Sequence, residues 1–86
     1  MDTQEVNFQL VRILNEWDPF GCGIGEYDPE IADVVYVVHK TDDAHHLAVN
    51  IQSIYEHSFE ELLPYKGCLE IAKSLLMIKS QGSCEI

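Results

Sequence analysis

Apolar residues recur along the chain at three- and four-residue intervals, in blocks separated by short polar stretches that carry proline, glycine or acids. Val6, Leu10, Ile13, Leu14 and Trp17 fall on one face of a helix predicted from about Thr3 to Trp17, and Phe8 and Val11 widen the stripe. Asp2 and Glu5 have the spacing of a capping box at its start. Trp17-Asp18-Pro19-Phe20-Gly21 then reads as a corner. Pro19 disfavours helical backbone at Asp18, and Gly21 accepts the positive φ of a sharp reversal. Trp17 is expected to be the last large anchor of the first helix and largely buried.

Asp28-Pro29-Glu30 reads as a second helix start: Asp28 as cap, Pro29 in the first turn, and Glu30 at the positive end of the dipole. The run that follows, 31–39, is rich in β-branched residues and taken alone resembles a strand. The start signal and the helical spacing of Ile31, Val34, Val35 and Val38 decide for helix, and no second strand-like run exists to pair with it. Thr41-Asp42-Asp43 separates this helix from a third, Asp43 to His57, with Ala44, Leu47, Ala48, Ile51, Ile54 and Tyr55 as its apolar stripe. Ser58-Phe59-Glu60-Glu61 predicts a short extra helical turn over 58–64, closed by Pro64. The last helix is predicted over 66–79, with Leu69, Ile71, Ala72, Leu75, Leu76 and Ile78 inward, and Lys73 and Lys79 in the half where its dipole favours cations. The expected fold is one all-α domain of four main helices over 1–79, followed by a flexible tail, 80–86.

Charge narrows the partners. Fifteen carboxylates against five Lys and Arg give the 86-residue chain a formal net charge of −10. Phosphate backbones and anionic membranes repel such a surface, so direct nucleic-acid or membrane binding is not expected and a basic protein partner is. No apolar run approaches the ~20 residues of a membrane span. The first residues show neither the basic region nor the apolar core of a signal peptide, and the expected location is cytoplasmic. Cys22, Cys68 and Cys84 are odd in number and form no CxxC pair, which argues against a disulfide framework. The reactivity of Cys22 and Cys84 stays open.

Few patterns suggest chemistry. The glycines at 21, 23 and 25 alternate, but no Gly-Lys-Ser/Thr follows and no strand precedes them, so neither phosphate-binding fingerprint is met. Asp42, His46 and His39 come nearest to a metal-ligand set. They lack the spacing of two histidines at i and i+4, while His46 and His57 stand roughly 16 Å apart along one helix. His39, His45, His46 and His57 therefore read as surface groups, with no metal or other cofactor expected. A Cys–His nucleophile built on Cys22 or Cys68 has no spacing that marks it.

With these residues in place the chain resembles the YugE-like family of small bacterial proteins of unknown function. The likeness rests on Leu14-Asn15-Glu16-Trp17-Asp18-Pro19-Phe20-Gly21, on Glu26-Tyr27-Asp28-Pro29-Glu30, and on Ile54-Tyr55-Glu56-His57-Ser58-Phe59. It implies a compact all-helical fold and brings no activity, cofactor or catalytic residue. In size and acidity alone the chain is also similar to bacterial immunity proteins, which neutralise toxins.

Glu16, Asp18, Glu26, Asp28, Glu30 and Asp33 lie within eighteen residues that hold no Lys or Arg, with Phe20, Ile24 and Tyr27 interleaved. Helix-start preference accounts for Asp28 and Glu30 but not for the absence of basic residues. Acids around an apolar centre suit docking of a basic protein. The expected function is a non-enzymatic inhibitor of the immunity or antitoxin type, docking a basic toxin over these nine residues. The alternative is a small regulatory or housekeeping protein that self-associates.

Overall fold

The computed structural model describes residues 3–21 and 27–83. They form α1 (Thr3–Trp17), α2 (Asp28–Lys40), α3 (Ala44–Phe59) and α4 (Tyr65–Ser83), with no strand among them. This is the all-α arrangement of four main helices that the apolar spacing predicts. Leu10 and Leu14 of α1, Ile31, Val34 and Val38 of α2, Leu47, Ala48 and Ile51 of α3, and Cys68, Ala72 and Leu75 of α4 meet in one buried core. The β-branched run of α2 is helical because its third- and fourth-residue positions face the other three helices. Burial of that face outweighs the weak helix propensity of valine and isoleucine. No described helix is long and apolar enough to cross a membrane.

Helix ends differ from expectation in instructive ways. Tyr27, not Asp28, is the N-terminal flanking residue of α2 and makes no side-chain cap, although proline does occupy the first turn. At α3 the expectation holds to within a residue: Asp43 flanks the helix, and its Oδ1 accepts from the backbone N–H of His45 at 2.9 Å and of His46 at 3.5 Å. The extra helical turn expected over 58–64 is absent. Ser58 and Phe59 complete α3, Glu60 adopts the left-handed conformation with φ 55°, and its N–H donates to Glu56 O at 2.7 Å. Continuing α3 through Phe59 keeps that ring in helical phase with Tyr55, which it stacks upon. Pro64 opens α4 instead of closing a turn, since its carbonyl accepts from Cys68 N–H at 3.2 Å. The α4 helix runs to Ser83, so residues 80–83, expected to begin a flexible tail, are helical; residues 84–86 lie outside the described residues.

One side chain ties three elements together. The Lys79 ammonium of α4 donates to Val38 O at 2.9 Å and Thr41 O at 3.1 Å, and pairs with Asp42 Oδ1 at 2.9 Å. It satisfies carbonyls at the C-terminus of α2, where partial negative charge accumulates. Lys79 was expected to serve the dipole of its own helix; it serves that of another.

Candidate functional site

The corner begins where α1 stops. Asp18 takes a positive φ of 37°, Gly21 one of 69°, and the Gly21 N–H donates to Asp18 O at 3.2 Å across the reversal. The Tyr27 hydroxyl sits inside this turn. It accepts from Phe20 N–H at 3.1 Å and donates to Asp18 Oδ1 at 2.5 Å. The two sides of the connection between α1 and α2 are thus pinned at one phenol.

Behind the turn lies an aromatic cluster. Tyr55 of α3 is at its centre, with ring centroids 5.5 Å from Trp17, 6.4 Å from Phe20, 5.7 Å from Tyr27 and 6.2 Å from Phe59. Phe59 in turn contacts Phe20 at 4.7 Å and Tyr27 at 5.5 Å. Trp17 does end α1 and does anchor the corner, but as a half-buried ring set edge-on to Tyr55. The Tyr55 oxygen is buried and has no hydrogen-bond partner among the described residues. Burial, and after it the nearby Glu30 carboxylate, hold its proton well above the ordinary tyrosine range.

The structure divides the nine residues predicted to dock a partner. Glu16, Asp28 and Asp33 are exposed, whereas Asp18 and Phe20 are half-buried in the corner. Tyr27 and Glu30 are buried, with Tyr27 fully so and Glu30 only 7% exposed, and cannot present a surface to a partner. The reason is the phase of α2. Tyr27, Glu30, Ile31, Val34 and Val38 lie along one inward face, so the acid expected to stand in solvent at the helix start is buried. Ile24 and Glu26 lie outside the described residues, as do Cys22, Cys84 and most of the Gly21–Gly25 loop.

The three conceivable metal ligands do not come together. His39 is hydrogen-bonded to Asn7 Oδ1 at 2.6 Å, His46 to Thr41 Oγ1 at 3.2 Å, and Asp42 pairs with Lys79. His45 bonds the Tyr65 hydroxyl at 2.7 Å. Among the described residues no three His, Cys, Asp or Glu side chains are placed to hold an ion. Cys68 is fully buried, and burial pushes its thiol up to about 11, so it is no nucleophile at neutral pH.

Two surface grooves lie beside residues of the predicted docking surface. A polar groove of about 270 Å³ runs between α2 and α3, lined by Asp33, Asn50, Ser53, Ile54, His57 and Ser58. A mainly apolar one of about 260 Å³ lies along α1, lined by Phe8, Val11, Arg12, Asn15 and Glu16. Sequence reading missed the α2–α3 groove because Asp33 is separated from His57 by an intervening turn and most of a helix. It missed the centre of the aromatic cluster although Tyr55 and Phe59, four apart, were a visible pair.

Fold and corner together define a class, small all-α proteins closed by an aromatic turn. The chain belongs to the family described as "Domain of unknown function (DUF1871)", which it matches over residues 9–85. It is 43% identical to the protein YugE of Bacillus subtilis (strain 168), itself described as uncharacterized, over 76 residues that make up 88% of each chain. A crystal structure of a Bacillus stearothermophilus protein superposes with a TM-score of 0.89 at 45% identity, covering 91% of this chain and 96% of that one. The resemblance read from the Trp-Asp-Pro corner is therefore a family relationship. Nothing in these relatives extends the likeness to immunity proteins.

Proposed function

We propose that this protein is a non-catalytic binding protein that docks a basic protein partner on its acidic α2–α3 side. The observation that supports this reading is the distribution of charge. Between Ile13 and His39, and again between Thr41 and Tyr65, the chain holds no Lys or Arg, so the exposed charges of α2 before Lys40 and of α3 are acidic. Asp28 and Asp33 stand on the outer side of α2, and Asp33 forms a wall of the groove whose other residues are neutral or imidazole. A lysine or arginine of a partner has a carboxylate, an amide and two hydroxyls to meet there, with Ile54 beneath its aliphatic stem. The docking surface thus keeps Asp28 and Asp33 from the sequence reading and gives up Tyr27 and Glu30. The more specific form, inhibition of a basic toxin, rests on charge alone.

The test is capture of a partner from the native host with the immobilised chain, comparing wild type with the Asp28→Lys/Asp33→Lys variant. Exposed charges contribute little to stability, so the variant should give the wild-type thermal transition to within a few degrees. The expected result is a basic protein that the wild type retains at low salt, that elutes as ionic strength shortens the ~8–10 Å screening length, and that the variant fails to hold. Retention indifferent to both the reversals and the salt would refute the reading.

A further inference from the structure

Three of the four histidines are hydrogen-bonded within the molecule, His39 to Asn7, His45 to Tyr65 and His46 to Thr41. His57 is the exception. It stands in the groove between α2 and α3, and among the described residues its ring makes no hydrogen bond or ion pair. The same holds for the Asp33 carboxylate and for the hydroxyls of Ser53 and Ser58 in that groove. Asn50 is bonded on one side only: its Nδ2 donates to His46 O at 2.8 Å, which leaves Oδ1 as the atom that can accept. We propose that this groove is a binding site for the guanidinium of an arginine on the protein partner, selective for arginine over lysine, with Asn50 as the residue that discriminates. The inference rests on the reading of the α2–α3 side as a docking surface and names the side chain that this surface takes.

Helix phase builds the groove. Asn50, Ser53, Ile54, His57 and Ser58 recur on α3 at the spacing of one continuous stripe, beside the inward stripe of Leu47, Ile51 and Tyr55. Asp33 precedes the buried Val34 on α2 and stands at the margin between core and solvent. Its carboxylate is the only lining group with a fixed charge, so the groove calls for a cation. The volume of about 270 Å³ falls below the roughly 300–1,000 Å³ of sites that enclose a drug-sized molecule, and suits a single side chain.

The acceptors decide between the two basic side chains. The two carboxylate oxygens, Asn50 Oδ1 and two hydroxyl oxygens are spread over both walls, more than the three N–H groups of an ammonium can serve. An ammonium is compact and meets only the acceptors around one point. A guanidinium is planar and carries five N–H groups on a wider fork, so it holds the carboxylate of α2 with two of them and turns the others toward α3. Asn50 Oδ1 is an acceptor of this second kind, held in place by the bond from Nδ2 to its own helix. The half-buried Ile54 underlies the aliphatic stem, and the unbonded His57 ring offers a flat face on which a guanidinium stacks and an ammonium does not.

The test is titration of the full chain at low salt with blocked alanine pentapeptides that carry one central arginine or one central lysine, followed by nitrogen–proton correlation spectra. The arginine peptide is expected to move the resonances of Asp33, Asn50, Ser53 and His57 and to bind about fivefold or more tightly than the lysine peptide, roughly what one further hydrogen bond to a charged group supplies. Asn50→Ala, which puts the better helix former in its place, should keep the fold and narrow that ratio to about twofold or less by weakening the arginine peptide. Asp33→Asn should weaken both peptides by similar factors. Glu56→Gln, at an exposed acid of α3 outside the groove, is the control and should change neither. Equal affinity for the two peptides overturns the proposal, and so does a ratio that Asn50→Ala leaves unchanged. Shifts confined to other parts of the surface, or none with either peptide, also overturn it. The comparison of arginine with lysine needs no variant, so it holds whether or not the substitutions fold. Capture of a basic partner by the wild type and its loss in Asp28→Lys/Asp33→Lys decide the docking reading separately. A chain that passes that test and shows no preference for arginine loses this inference alone.

Discussion

Tyr27 and Tyr55 pack with their ring centroids 5.7 Å apart, yet their hydroxyls are in opposite circumstances. The Tyr27 hydroxyl both accepts and donates within the corner turn, whereas the buried Tyr55 hydroxyl has no hydrogen-bond partner among the described residues. The same deletion of one oxygen should therefore have opposite effects at the two sites.

Tyr27→Phe removes the group that joins Phe20 N–H to the Asp18 carboxylate. Both lie at the edge of the core, where water replaces part of what is lost, so the expected cost is about 1–2 kcal/mol. Urea unfolding measures it as a lower midpoint at unchanged slope. A loss indistinguishable from zero would mean that the phenol does not pin the turn.

Tyr55→Phe keeps the ring contacts to Trp17, Phe20, Tyr27 and Phe59 and removes a desolvated oxygen. The expected outcome is a neutral change or a gain of up to about 1 kcal/mol, because a buried polar group without a partner costs free energy in the native state. A loss greater than about 1 kcal/mol would show that the hydroxyl is hydrogen-bonded after all.

Lys79→Met keeps most of the aliphatic stem and deletes the ammonium that holds Val38 O, Thr41 O and Asp42. Lys79 is largely sheltered, with 21% of its side chain exposed, and two of its three acceptors are carbonyls that close α2 and the turn after it. Charged hydrogen bonds of this kind contribute about 1.5–3 kcal/mol, so the variant should lose on the order of 2 kcal/mol. In a domain this small that amounts to a fall of roughly 8–16 °C in the thermal midpoint. Asp42→Asn, which leaves the carbonyl contacts in place, should lose much less, since its carboxylate is exposed. Equal losses in the two variants would place the stabilisation in the ion pair and not in the helix end.

Alkaline pH should destabilise the fold through Cys68 and Tyr55. Each is neutral when protonated, and burial raises each in the folded state, Cys68 from an ordinary 9.0 to about 11. The unfolded chain therefore gives up these protons first. Stability is complete below the ordinary thiol value and falls as pH rises from there through 11. Cys68 alone accounts for on the order of 2–3 kcal/mol across that window. Unfolding free energies measured from pH 8 to pH 11 should show this decline, and Cys68→Ala should flatten part of it. In the native protein at pH 8 the Cys68 peptide should also resist alkylation until denaturant is added. Rapid native alkylation, or a pH slope unchanged in the alanine variant, would remove Cys68 from this account.

Local sequence determined the helices of this protein. The spacing of Leu10 with Leu14, of Val34 with Val38, and of Leu47 with Ile51 is a property of neighbouring residues, and so are the stops at Pro19 and at Thr41-Asp42-Asp43. Most of each element's inward face could therefore be read before any contact was known, even for the valine-rich run that resembles a strand, although Phe8 and Val11, expected to widen the inward stripe of α1, are exposed. The cluster of acids over residues 16–33 and the lack of basic residues over long stretches are likewise visible in the chain alone. What neighbouring residues do not encode is which distant groups converge. Trp17, Phe20 and Tyr27 meet Tyr55 and Phe59 only because α3 is laid beside the corner, and that convergence turned the predicted surface residue Tyr27 into an interior one. Lys79 reaches Val38 across forty-one positions of sequence for the same reason. Helix phase is set within a turn or two of chain. Burial, and with it the choice between a docking residue and a packing residue, is set by the helix that arrives on the other side.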